Sequence, residues 1–299
     1  MFEEAQLYSP VTTADDGTVT VHLGDEHPGV NDPDYRARRN EIAARALAWS
    51  PGNPVPQVDY TEGEDEIWRT VCRELAPKHE RYACAEYREA AQQLGLPRDH
   101  VPQLDEVTDL LRPLTGFEYH PAAGLVPLRE FYGSLAERVF HSTQYVRHPS
   151  APLYTPEPDI VHEVIGHGVM LASPRFAAIK QAAGEAAHRV ETEAALQFIA
   201  DVFWFTLEFG VLHEGGELRA YGAGILSSYG EIEEFRHVEI RPLNFHEMGT
   251  LEYDITHYQP VLYAAGSMDH LEESVGAFFE TCDDDTPARM GVRKHAAPA

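Results

Sequence analysis

Apolar residues recur at three- and four-residue spacing along most of this chain, the period of helices that each bury one face. Residues 34–48 set Ile42 and Ala46 against a cluster of arginines and predict an amphipathic helix. Thr61 followed by early acids predicts the start of a second helix, and Ile67, Val71 and Leu75 mark its buried face. The run RYACAEYREAAQQLGL predicts a third helix, stopped by Gly95 and Pro97. VPQLDEVTDLLRPLTG predicts a fourth, ended near Pro113 and Gly116. A fifth begins near Pro127 and reads through Phe131, Leu135 and Val139. Pro156 and Pro158 then interrupt the pattern, Asp159 is a suitable N-cap, and IVHEVIGH continues as helix. Two long helical patterns follow, PRFAAIKQAAGEAAHRV and ETEAALQFIADVFWFTLEFGVL, and LEESVGAFFETC is the last. Residues 236–264 hold short mixed stretches, some of which read as strands. The expected fold is mainly α, one main domain with a few short strands.

The edges differ in composition. Residues 1–33 are rich in Asp, Gly, Pro and Thr; TVTVHLG suits a short strand, but the segment reads as a loosely attached arm. With the first helix it forms an N-terminal region, 1–55, joined through the proline-rich 50–60 to a body expected to span 56–285, and 286–299 reads as a frayed tail. Acids outnumber bases 49 to 23, a formal charge of −26, which opposes binding to nucleic acid or an anionic membrane. The three cysteines are odd in number, widely spaced and without a CxxC, as in a reducing compartment. The first residues lack a basic and an apolar region, and no run reaches the length of a membrane span, so a cytoplasmic location is expected.

The candidate chemistry lies in Tyr154–Met170, YTPEPDIVHEVIGHGVM. His162 and His167 are five apart, which excludes the His-Glu-x-x-His zinc-hydrolase pattern with its four-residue spacing. On an ideal α-helix side chains five apart point about 140° away from each other. The two imidazoles converge if the helix ends or bends at Gly166. Glu208, inside the apolar run FWFTLEFG, is a buried carboxylate in need of a partner. Two imidazoles and one carboxylate are the ligand set of a mononuclear non-haem iron site. The competing reading pairs Glu208 with an arginine such as Arg147, and a zinc hydrolase on the same ligands is the alternative chemistry.

YTPEPDIVHEVIGH, FWFTLEFG, AYGAGILSSYGE and GFEYHPAAGLVPLREFYGSLAERVFHSTQYVRH resemble the catalytic domain of the pterin-dependent aromatic amino acid hydroxylases, and the resemblance extends over roughly 56–280. It implies that domain's mainly α fold. It also implies a monooxygenase that uses iron(II), O2 and tetrahydrobiopterin or a related tetrahydropterin to hydroxylate an aromatic amino acid. The implied metal ligands are His162, His167 and Glu208. The implied pterin site is Gly124, Leu125, Val126, Phe131, His141, Glu163, Ala200 and Phe203. The implied amino-acid site is Arg147 for the carboxylate, with Thr155, Ser227, Ser228 and Glu231 in its polar network, and Pro158, Trp204, Phe209, Gly224 and Ile255 around the ring.

The chain leaves the family pattern in places. Gly168 and Val169 stand where the family has Val-Pro after the second histidine, close to the expected iron, and Pro127 and Leu128 replace small hydroxyl residues of the pterin loop. Trp204 and Ile255 favour L-phenylalanine as substrate, with para-hydroxylation to tyrosine as the default. Meta-hydroxylation, or a tyrosine or tryptophan substrate, is the alternative, and a shift of the ring at Gly168-Val169 is the expected route to a meta product. The short stretch before the match and the lack of a C-terminal coiled-coil pattern point to a monomer, with a dimer as the alternative.

Overall fold

The computed structural model describes residues 10–254 and 257–292. The N-terminal segment is a hairpin, β1 (Val11–Thr13) antiparallel to β2 (Val19–Val21), followed by α1 (Pro33–Ala48). Asp32 caps α1 by accepting from the amides of Asp34 and Tyr35. From residue 10 onward this segment is not the loose arm expected, and residues 1–9 of that arm lie outside the described residues. Val21, His27, Arg39, Ile42, Ala43 and Ala46 are all buried, and the backbone amide of Val21 donates to the side-chain carbonyl of Asn40 on α1. Alternating apolar residues in TVTV give the hairpin a face to bury, and α1 covers it.

The body is helical. α2 (Glu62–Tyr82) starts at a Thr61–Glu64 capping box and takes in Arg81 and Tyr82 from the run expected as the next helix; the chain breaks at Ala83–Cys84, where the Cys84 amide donates to the Ala220 carbonyl. α3 (Ala85–Leu94) ends at Gly95 in the left-handed region, φ 63°. α4 (Leu104–Thr115) leads to β3 (Glu118–Pro121), α5 (Leu128–Ala136) and β4 (Val139–Ser142), with β3 and β4 parallel and His120 opposite His141. The helix expected to reach Val139 stops at Ala136, because Arg138 takes a positive φ of 59° and turns the chain into β4.

The next helix begins at Ile160 and widens into a π-helical turn over His162–Gly168, then narrows to α6 (Val169–Ala172). α7 (Pro174–Arg189) and α8 (Glu193–Phe203) follow, and α8 passes into a second π-turn, Trp204–Glu208. A four-stranded sheet, in the order β6-β5-β8-β7, collects β5 (Val211–Glu214), β6 (Glu217–Ala220), β7 (Glu239–Pro242) and β8 (Val261–Ala265); only β5 and β6 are antiparallel. α9 (Ala223–Ser227) lies between β6 and β7 in sequence and packs on the first π-turn. The described part of the expected tail is docked: Thr286 and Pro287 are buried in a short helix, Thr286–Arg289, that touches α8. No helix among the described residues is long and apolar enough to cross a membrane.

Candidate active site

The two π-turns supply all three expected ligands. In a π-turn the backbone bond runs from residue i to i+5, so residues five apart, not four, come to lie over one another. The Val169 amide bonds to the Val164 carbonyl, and the Phe209 amide to the Trp204 carbonyl, both five-residue steps. His162 and His167 therefore converge without a break at Gly166. Their Nε2 atoms are 3.1 Å apart and their rings nearly perpendicular, 86°. Glu208 closes the set, with one oxygen 2.8 Å from His167 Nε2 and the other 3.7 Å from His162 Nε2. Glu163 also puts a carboxylate oxygen within 4.8 Å of both imidazoles, but the Glu208 oxygens lie at 2.8 and 3.7 Å from them.

Several contacts hold the first π-turn in register. Its Glu163 carbonyl accepts from the Tyr119 hydroxyl and its Ile165 carbonyl from the Tyr87 hydroxyl, each at 2.7 Å and each buried. Gly166 admits α9: a Cβ there would lie 2.9 Å from the Ala223 carbonyl oxygen. The outward nitrogen of each histidine is also fixed. His162 Nδ1 is 2.9 Å from Ser227 Oγ, and His167 Nδ1 is 2.7 Å from Lys180 Nζ.

Burial sets the charges. It pushes His162 down to about 4, with His167 adding to the effect, and His167 well below the usual range, with Lys180 adding. Both imidazoles are thus neutral, the form that binds a metal. Burial also raises Glu208, against which His162 and Lys180 pull down, and it lowers Lys180 to about 8. Two neutral imidazoles and a mostly buried carboxylate gathered on one point fit a divalent iron with open positions.

These groups face a cavity of about 590 Å³ that holds both expected binding ends. Of the expected pterin residues, Gly124, Leu125, Val126, Phe131, His141 and Glu163 line it. His141 Nδ1 is buried with no hydrogen-bond partner among the described residues, an unmet polar atom that suits a heterocycle bearing donors and acceptors. Burial and the nearby Glu208 raise the Glu163 carboxyl well above its usual range. Ala200 and Phe203 do not reach the cavity: both are fully buried in α8, and Phe203 stands behind Phe131, ring centroids 6.3 Å apart. The same cavity is lined by Arg147, Thr155, Pro158, Trp204, Phe209, Gly224, Ser227, Ser228 and Glu231. Ile255 is outside the described residues.

Arg147 is paired with Asp159, not Glu208. Both are buried, and the fork is bidentate, Nε to Oδ2 at 2.9 Å and a terminal nitrogen to Oδ1 at 2.8 Å. Asp159 also caps the ligand helix, accepting from the His162 amide at 3.3 Å. Glu231 does not touch the arginine; it accepts from the Gln259 amide at 3.0 Å, and burial pushes it up to about 7. Gly168 and Val169 are not beside the ring pocket. Both are buried and neither lines the cavity; a Cβ on Gly168 would lie 3.0 Å from the Tyr119 hydroxyl.

Sequence reasoning missed four contributors. Asp159 was visible only as a cap. Tyr253, stacked on Trp204 at 4.7 Å and 11°, gives no local signal. Tyr119 and Lys180 give no sequence signal of a role, yet both are buried against the π-turn. The N-terminal region also takes part: Arg39 lines the cavity, and a Cβ on Gly124 would come within 3.1 Å of Val11.

Comparison with known proteins agrees with this geometry. The family model for biopterin-dependent aromatic amino acid hydroxylases matches residues 15–289. Phenylalanine 3-hydroxylase of Streptomyces coeruleorubidus is 53% identical over 274 residues, which cover 91% of this chain and 98% of that protein. Rat phenylalanine-4-hydroxylase is 42% identical over 267 residues, 87% of this chain but only 59% of the rat protein. A solved structure of Chromobacterium violaceum phenylalanine hydroxylase, with bound iron(III) and 7,8-dihydrobiopterin, superposes with a TM-score of 0.72 at 28% identity, covering 80% of this chain and 90% of that one. The chain belongs to the biopterin-dependent aromatic amino acid hydroxylases.

Proposed function

We propose that this protein hydroxylates the ring of L-phenylalanine at C3, the meta position, with iron(II), a tetrahydropterin and O2. The observation that carries the site is the convergence of His162, His167 and Glu208 on the wall of one cavity that Arg147 and His141 also line. The position of attack rests on similarity. The chain is 53% identical to a 3-hydroxylase along nearly its whole length, against 42% for the rat 4-hydroxylase, so the para default gives way to the meta alternative.

Iron held by the triad supplies, with O2 and the pterin, the oxygen-transfer chemistry. The chain's own residues do the rest. Arg147, held flat by Asp159, receives the substrate carboxylate on a fixed fork. Trp204, Phe209 and Pro158 form an apolar wall that matches an unhydroxylated ring, and Tyr253 backs Trp204. The backbone of Gly124–Val126, the Phe131 ring and His141 bound the pterin end, where burial raises the Glu163 carboxyl. The cavity places these partners in register and keeps bulk water from the reacting centre. On this reading the enzyme is a monomer acting on a free amino acid.

Purified protein with iron(II), tetrahydrobiopterin, O2 and L-phenylalanine, analysed by chromatography against ortho-, meta- and para-tyrosine, tests the assignment. Meta-tyrosine is expected. A mainly para product refutes the regiochemistry, and no pterin-dependent product from any aromatic amino acid refutes the activity. Glu208→Ala is expected to abolish iron-dependent turnover.

A further inference from the structure

Gln259 has no part in the reading above and does not line the cavity, yet it is joined to the ring wall from behind. It lies just before β8 and is 2% exposed. Its side-chain oxygen accepts from the Trp204 indole N–H at 3.2 Å, and its side-chain nitrogen donates to the carbonyls of Asp254, at 2.8 Å, and His257, at 2.9 Å. These partners leave no choice in the orientation of the amide, since an indole N–H only donates and a carbonyl only accepts. Asp254 follows Tyr253 in the chain, and Tyr253 is the ring stacked on Trp204. One amide thus ties both rings of the stacked pair, the indole directly and the phenol through the backbone of the next residue. Stacking on Tyr253 at 4.7 Å and 11°, with the tilted contact to Phe209 at 4.6 Å, holds the indole by its faces but lets it slide in its own plane. The indole N–H points within that plane, so its bond to Gln259 opposes the sliding.

We infer that Gln259 is a positioning residue for regiochemistry: it locks Trp204 and Tyr253 into one wall, so that a single carbon of the substrate ring is presented to the reacting centre. This role rests on the ring-hydroxylation reading. A misplacement of about 1 Å costs a reaction about 100-fold, and neighbouring carbons of an aromatic ring differ in position by little more than that. A wall free to slide therefore lets a neighbouring carbon compete, and the isomer ratio of the product falls. A glutamine that served only to satisfy buried polar groups would act differently. Its removal would lower stability and the amount of active enzyme, and the active molecules would make the same isomer as before.

Two measurements separate these cases. The three tryptophans give three indole N–H signals in a proton–nitrogen correlation spectrum, and the one lost in Trp204→Phe belongs to Trp204. In the metal-free protein, Gln259→Met is expected to speed hydrogen exchange of that signal at least about tenfold and to leave those of Trp49 and Trp68 unchanged. In turnover with iron(II), tetrahydrobiopterin, O2 and L-phenylalanine, the ratio of the parent's main tyrosine isomer to the other two is expected to fall at least about tenfold. If Gln259→Met does not fold, Gln259→Asn, one methylene too short to span both sides, takes its place with the same two readouts. Unchanged exchange of the Trp204 indole, or an unchanged isomer ratio, overturns the inference. A parent that makes no tyrosine isomer refutes the activity reading and the regiochemical role with it; an active parent whose isomer ratio survives the substitution refutes the role of Gln259 alone.

Discussion

Removing one oxygen atom from Tyr119 tests whether the π-turn is held in place from outside. The Tyr119 hydroxyl is fully buried and donates to the Glu163 carbonyl at 2.7 Å, inside the turn that brings the two histidines together. Tyr119→Phe keeps the ring and its packing against Phe140, centroids 5.2 Å apart, and deletes only that bond. A buried acceptor left without its partner costs about 1–3 kcal/mol. For a chain of this size, each kcal/mol lowers Tm by roughly 2 °C. The metal-free variant is therefore expected to unfold about 2–6 °C below the parent. It is also expected to bind cobalt(II) more weakly, because a turn freed to narrow toward α winding separates the two imidazoles. Gly168→Ala probes the same oxygen from the other side, since its Cβ would lie 3.0 Å from the hydroxyl. In the Tyr119→Phe background that crowding is gone, so the two changes should be less than additive, with a coupling of about 0.5–3 kcal/mol. Differential scanning calorimetry of the four proteins reads the cycle. A Tyr119→Phe protein with unchanged Tm and unchanged cobalt affinity would refute the claim that this hydroxyl holds the turn.

Other consequences can be checked separately. Burial pushes Glu231 up to about 7 from 4.5, so between those pH values the unfolded chain releases a proton that the fold retains. Stability should therefore fall as pH rises from 4.5 to 7, by on the order of 3 kcal/mol from this group, and Glu231→Gln should remove that part of the slope in urea unfolding series; identical pH slopes for the two proteins would contradict it. Ser227→Ala removes the hydrogen bond to His162 Nδ1, 2.9 Å in the parent, and should lower cobalt affinity about 10–100-fold while leaving His167 and its partner intact. Arg147→Lys cannot reproduce a bidentate fork, so steady-state kinetics should show KM for the amino acid rising at least about tenfold and KM for the pterin changing little; equal rises would remove Arg147 from the substrate site.

Helix positions were legible because their signals are local. The Thr61–Glu64 cap, Gly95 and the spacing of Ile67, Val71 and Leu75 each act within one or two turns. The ligands were legible as residue types and as a family pattern, but their convergence was not. An apolar period near 3.6 does not distinguish α from π winding over one turn, and the π-turn depends on Tyr87, Tyr119 and α9, which come from far along the chain. The N-terminal hairpin was underrated for a related reason. Its composition is that of a loop, and its stability comes from α1 and from contact with Gly124, neither of which the segment itself encodes. Lys180 was hidden by its chemistry, since a lysine in an alanine-rich helix reads as a solvated surface.

The widened turn has an implication for how such a site is altered by insertion and deletion. His162–His167 reads His-Glu-Val-Ile-Gly-His, and removal of Gly166 alone would leave His-Glu-Val-Ile-His. That is the four-residue arrangement in which two imidazoles on an ordinary α-turn hold zinc and the glutamate between them serves as a general base. One inserted residue, absorbed as a π-turn rather than pushed into a loop, keeps both histidines on the same side of the helix while the adjoining acid moves off as a neighbour instead of a base. The site thus stands a single codon away from a hydrolytic motif, and its identity depends as much on the winding of the backbone as on the side chains it carries.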